Sequence, residues 1–193
     1  MSRITSGKAL AAAAMALATL TACVGDGPAF VAEYGTNYDY NTFNLYHRNR
    51  DTLVVIHGNP LGMDEAAFAT AVTDAMQTRN SAIHTHFTTK SGGSTENNLR
   101  VVLAFNKQPG NAGLCEGTPT RDIPTPGKSI TQVYGAWCWS DRPEMEVIAY
   151  VSPITSVSDP RFLKLVADAT RELFPGPKDF QTESGSDKST QVP

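Results

Sequence analysis

Between Thr52 and Met76 the chain changes its hydrophobic period from two to about 3.6, and this constrains the fold more than any other feature. Thr52–His57, TLVVIH, is β-branched and apolar, as a buried strand is. Phe68, Val72 and Met76 then recur every four residues with Ala71 and Ala75 beside them, which is the single stripe of an amphipathic helix. Only Gly58-Asn59-Pro60-Leu61-Gly62 separates the two patterns, and Asp64 is placed to cap the helix. Reversal from a strand into a helix over so few residues calls for glycine at the turn, and a helix with one apolar face covers a sheet. The spacing predicts a helix over about 64–78.

The same two periods organise the rest. A strand over about 83–88 sets Ile83, Thr85 and Phe87 against His84 and His86, while Leu99–Phe105 is apolar on both faces and reads as central. Ile130–Trp139 alternates, and a strand over about 145–151 follows the hairpin residues Ser140-Asp141-Arg142-Pro143. Asp159-Pro160 opens a second helix, with Phe162, Leu163, Val166, Thr170, Leu173 and Phe174 as its inner face, ending at Pro175-Gly176-Pro177. The fold class expected is α+β: a two-layer sandwich in which a mixed sheet of about five strands is covered by two amphipathic helices. The first strand-helix-strand unit reads as a parallel crossover and the later strands as an antiparallel meander. One domain over 34–176 contains all of this, and the polar residues 177–193 read as a disordered tail.

The N-terminus is of another kind. Arg3 and Lys8 precede the apolar run Ala9–Leu20, which is too short to cross a bilayer and suits a secretory signal over 1–22. Leu20-Thr21-Ala22-Cys23 is similar to the lipobox of bacterial lipoproteins. That resemblance implies cleavage before Cys23 and acylation of Cys23, with 23–33 as lipidated cysteine and tether. Several acyl chains on one residue hold a domain at a membrane surface without spanning it. Loss of Arg3 and Lys8 leaves 14 basic against 19 acidic residues, a balance that does not favour nucleic acid. Export also places Cys115 and Cys138, the remaining cysteines, in an oxidising compartment, where an even pair reads as a disulfide rather than as two buried thiols.

Several residues raise the question of chemistry. A strand ending in His57-Gly58 resembles the oxyanion-hole loop of α/β-hydrolases, but no Gly-x-Ser-x-Gly occurs and His86 is the last histidine, so no later base exists for that family's triad. No catalytic residue is assigned. His84 and His86 share one strand face and could form half of a copper or zinc site completed by His57 or His47, or could simply be exposed edge residues. Trp137 and Trp139 could stack on a glycan or pack under a helix. Glu144 and Glu146 read as solvated strand residues. The aromatic segment holding Tyr34, Tyr38, Tyr40, Phe43 and Tyr46 is a lead-in packed on the domain, or a partner-binding face.

Taken whole, the chain resembles small envelope lipoproteins of Gram-negative bacteria that share a strand, a Gly-Asn-Pro turn and an alanine-rich helix, a group that brings no known activity. The resemblance implies an outer-membrane location facing the periplasm, since Val24 stands where inner-membrane lipoproteins carry aspartate. The function expected is that of a non-enzymatic, membrane-anchored domain that contacts an envelope protein partner and needs no cofactor. The alternative is a metal-binding or enzymatic envelope protein using His57, His84 and His86.

Overall fold

The computed structural model describes residues 30–34, 37–78, 84–90, 98–110, 113–117, 121–122 and 131–176. The signal segment, Cys23 and the 177–193 tail lie outside the described residues. The elements follow in the order β1 (Phe30–Tyr34), α1 (Tyr40–His47), β2 (Asp51–His57), α2 (Glu65–Gln77), β3 (His86–Thr88), β4 (Leu99–Phe105), β5 (Lys107–Gln108), β6 (Arg121–Asp122), β7 (Thr131–Trp139), β8 (Arg142–Val151) and α3 (Pro160–Leu173).

The fold is an α+β sandwich. Its main sheet has six strands in the order β1-β8-β7-β4-β2-β3. β2 pairs in parallel with both β3 and β4, while β4, β7, β8 and β1 run as antiparallel neighbours. The crossover and the meander are thus both present. The sheet gains β1, because Phe30–Glu33 pairs with β8 where the sequence reads as tether. A third helix, α1, comes from the aromatic lead-in, capped by Asp39, whose carboxylate accepts the Thr42 N–H at 2.6 Å.

Each covering helix forms where its cap and stripe coincide. The Asp64 carboxylate accepts the Ala67 N–H, and Phe68, Val72, Ala75 and Met76 are buried. In α3 the Asp159 cap precedes proline at the first turn, and Phe162, Leu165, Val166, Ala169 and Leu173 face the sheet. Leu163, expected inside, is 45% exposed, and Leu165 takes the buried place. Residues three and four beyond Phe162 share its face, whereas its immediate neighbour is rotated by about 100°. Gly135 on β7 leaves room for α3: a Cβ there would stand 3.1 Å from side-chain atoms of Leu103, Val147 and Leu173.

The helix-side core holds Val54, Leu103, Phe105, Val133, Trp137 and Val147. The other face buries a second, smaller cluster of Val102, Ala104, Ala136 and Cys138 under Leu114 and Cys115 from the segment after β5. Cys115 and Cys138 are joined in a disulfide with Cα atoms 5.4 Å apart and a sequence separation of 23. Arg100 reinforces the clamp by donating to the carbonyls of Cys115 and Ser140. Reduction of this bond is expected to lower stability by about 3 kcal/mol, from the loop entropy returned to the unfolded chain. Urea denaturation with and without reductant measures it; equal midpoints would show that the bridge pins nothing.

Glu144 departs from the reading of a solvated strand residue. It is 5% exposed and takes a 2.5 Å ion pair from Arg142. The cause is a register shift: Trp137 pairs with Met145 and Cys138 with Pro143, so Glu144 is an extra, bulged residue. Glu146 is half-buried, and that burial raises its pKa above the usual carboxylate range.

Candidate functional site

The aromatic lead-in packs more than it displays. Phe43 is buried between His47, with ring centroids 4.3 Å apart, and Phe174, also at 4.3 Å, while Trp137 meets it edge-on at 5.1 Å. Tyr46 lies edge-on to Trp139 at 5.4 Å. Trp137 is therefore a core residue, and half-buried Trp139 closes the same face.

Inside this cluster runs a chain of polar side chains. Trp137 Nε1–H donates to His47 Nε2 at 3.2 Å, so that nitrogen carries no proton. The imidazole proton then sits on Nδ1 and is donated to Thr52 Oγ1 at 2.7 Å. Thr52 passes its hydroxyl hydrogen to Thr85 Oγ1 at 2.6 Å, and Thr85 donates to the Arg50 carbonyl at 2.8 Å. The direction follows from the ends, since an indole only donates and a carbonyl only accepts. Burial, reinforced by the Arg50 charge, lowers the His47 pKa to about 4, so the ring is neutral at pH 7. His47 has no free nitrogen for a metal.

The chain leads outward to the β3 edge. There Asn49, Arg50, Asp51, Gln77, His84, Thr85 and His86 line an open cleft of about 440 Å³. His84 and His86 project to solvent while Thr85 and Phe87 point inward, as their alternation predicts. His86 Nδ1 meets the Asp51 carboxylate at 3.1 Å; because a carboxylate only accepts, the ring donates from Nδ1 and turns Nε2 outward.

His57 does not join them. It lies at the far end of β2, six residues from Asp51, the residue that pairs with His86. At about 3.3 Å per residue that is roughly 20 Å along the strand. The three histidines therefore do not make one site. Among the described residues, no group of three or more His, Cys, Asp or Glu is placed to hold a metal ion. Burial and the nearby Lys107 charge lower the His57 pKa.

The His57-Gly58 turn is held by its own residues. Asn59 accepts the Leu61 N–H on its side-chain oxygen and the Gly62 N–H on its carbonyl, and its amide donates to the Met63 carbonyl at 2.7 Å. Two of the loop's amides are thus engaged internally, and Asp64 with Glu65 puts negative charge at the start of α2.

Sequence reasoning found His84, His86 and the disulfide, and missed Arg50, Asp51 and the polar chain. The one available signal was Arg50-Asp51 at the start of a strand, which shows its meaning only once β3 is paired beside it. The chain matches no family model, no curated protein and no solved structure.

Proposed function

We infer that this protein is an exported lipoprotein, acylated at Cys23, whose α+β domain works at the envelope as a binding module. The observation that carries this reading is the Cys115–Cys138 disulfide, a bond kept in oxidising compartments, in a chain that begins with a lipobox-like segment. No described helix is long and apolar enough to cross a membrane, and the anchor we propose is the acylated Cys23 of the lipobox-like Leu20-Thr21-Ala22-Cys23. The cleft at the β3 edge supports the binding reading: Arg50 and His86 are exposed on its lining, and the Thr85 hydroxyl is engaged in the buried chain. Val24 favours the outer membrane, and an envelope protein remains the proposed partner.

In a Gram-negative host, the protein is expected to incorporate labelled palmitate and to sediment with membranes, and Cys23→Ala to lose both. An unlabelled, uncleaved wild-type chain would refute the anchor. In-cell crosslinking followed by mass spectrometry identifies the neighbour, and the return of no specific protein would count against a partner-binding role.

A further inference from the structure

The cleft at the β3 edge is more firmly built than an exposed sheet edge requires. Its rim is fixed by the Asn49 N–H donating to the His84 carbonyl at 2.6 Å, and by the His86 N–H donating to the Arg50 carbonyl at 3.0 Å. Asn49 holds a left-handed backbone with φ 57°, a conformation asparagine tolerates better than most residues, and this turn carries Arg50 to the rim. Beneath the rim, Thr85 is tied through Thr52 and His47 to the indole of Trp137. Buried polar groups of this kind are costly unless they are fully paired, and here they fasten one edge of the sheet to the core.

Against that floor stand side chains that carry hydrogen-bond donors, Asn49, Arg50, Gln77 and His84, and beside them His86, which donates from Nδ1 to Asp51 and gains an outward N–H at Nε2 when protonated. Arg50 is exposed and has no carboxylate within ion-pair distance among the described residues, although the whole chain carries a net charge of −3. Among the described residues the one carboxylate lining the cleft, Asp51, is already answered by His86. A bound cation would therefore meet Arg50 and an engaged acid, and among the described residues no hydrocarbon side chain lines the cleft to receive an apolar ligand. An anion meets a planar guanidinium able to bind it in a bidentate manner, with imidazole nitrogens beside it. We propose that this cleft binds the carboxylate or phosphate group of a ligand, with Arg50 as the principal donor and His84 and His86 as its flanks. The assignment is independent of the lipid anchor.

The test uses the full chain in non-ionic detergent, with labelled histidines observed by NMR at constant ionic strength. Inorganic phosphate is expected to shift the His84 and His86 imidazole signals saturably and to leave His57, at the other end of β2, in place. Arg50→Gln should weaken that binding roughly tenfold or more, the effect of losing a hydrogen bond to a charged group. His84→Asn, a second exposed change, should weaken it less. Saturable shifts with phosphatidylglycerol-doped micelles, lost in Arg50→Gln and not given by inorganic phosphate, would identify a lipid head group as the source of the anion. Non-saturable shifts with both probes, or equal affinity in wild type and Arg50→Gln, would overturn the proposal.

Discussion

Gly58→Ala is expected to lower the unfolding free energy by roughly 3 kcal/mol or more, the sum of a left-handed backbone and an overpacked contact. Gly58 has φ +82°, and a Cβ built on it stands 2.4 Å from the Phe105 carbonyl oxygen. Relief cannot come from a side-chain rotation, because the obstructing atom is backbone of β4, the parallel neighbour of β2. Gly62 is the internal control: its φ is +61°, but a Cβ there meets nothing within 4 Å. Gly62→Ala should therefore cost only about 1 to 2 kcal/mol, the backbone part alone. Urea denaturation of both variants measures the difference in midpoint. Equal losses would mean that the close approach of β2 and β4 contributes nothing.

Acidification is expected to weaken the fold through His47. An unfolded histidine takes up its proton near pH 6.5, whereas His47 in the fold resists protonation until about pH 4. Between those values the unfolded chain holds more protons, so stability is complete above pH 6.5 and declines as the pH falls through the window. The total loss is about 3 kcal/mol by linkage. Burial is the main reason and the Arg50 charge adds to it; a proton on Nε2 would also point at the Trp137 indole hydrogen, replacing an accepted hydrogen bond by two opposed donors. His47→Ala should cost roughly 3 to 5 kcal/mol at pH 7.5, from the cavity and from the orphaned partners Trp137 and Thr52. It should also flatten the pH dependence of the denaturation midpoint between pH 7 and 4.5. A variant that keeps the wild-type slope would assign the acid sensitivity to another group.

The parts of this fold that could be read from the sequence are those in which one local pattern decides the outcome. α2 and α3 were legible because cap, stripe and stop agree within a few residues. The central position of β4 was legible because Val101 and Leu103 are apolar on one face and Val102 and Ala104 on the other. Two elements were not. β1 has partners only in β8, more than a hundred residues away, and its short run follows glycine and proline that read as a linker. α1 has eight residues rich in asparagine and aromatic side chains, poor helix formers that fold because Phe43 and His47 are buried in the core. The site divides in the same way. The outward pair His84 and His86 follows from alternation, while Arg50, Asp51 and the Trp137–His47–Thr52–Thr85 chain depend on contacts spanning up to 90 positions. No window along the sequence contains them.

The pairing of β1 with β8 also governs when the molecule is able to close. Phe30 lies opposite Tyr150, so the first of the described strands to leave the ribosome must wait for the last of them before it finds its neighbour. Until then the pairings available include those among β2, β3 and β4, and non-local strand pairing is the slow part of assembly. A chain wired in this way stays open through most of its synthesis, and acquires its final edge only when β8 has arrived.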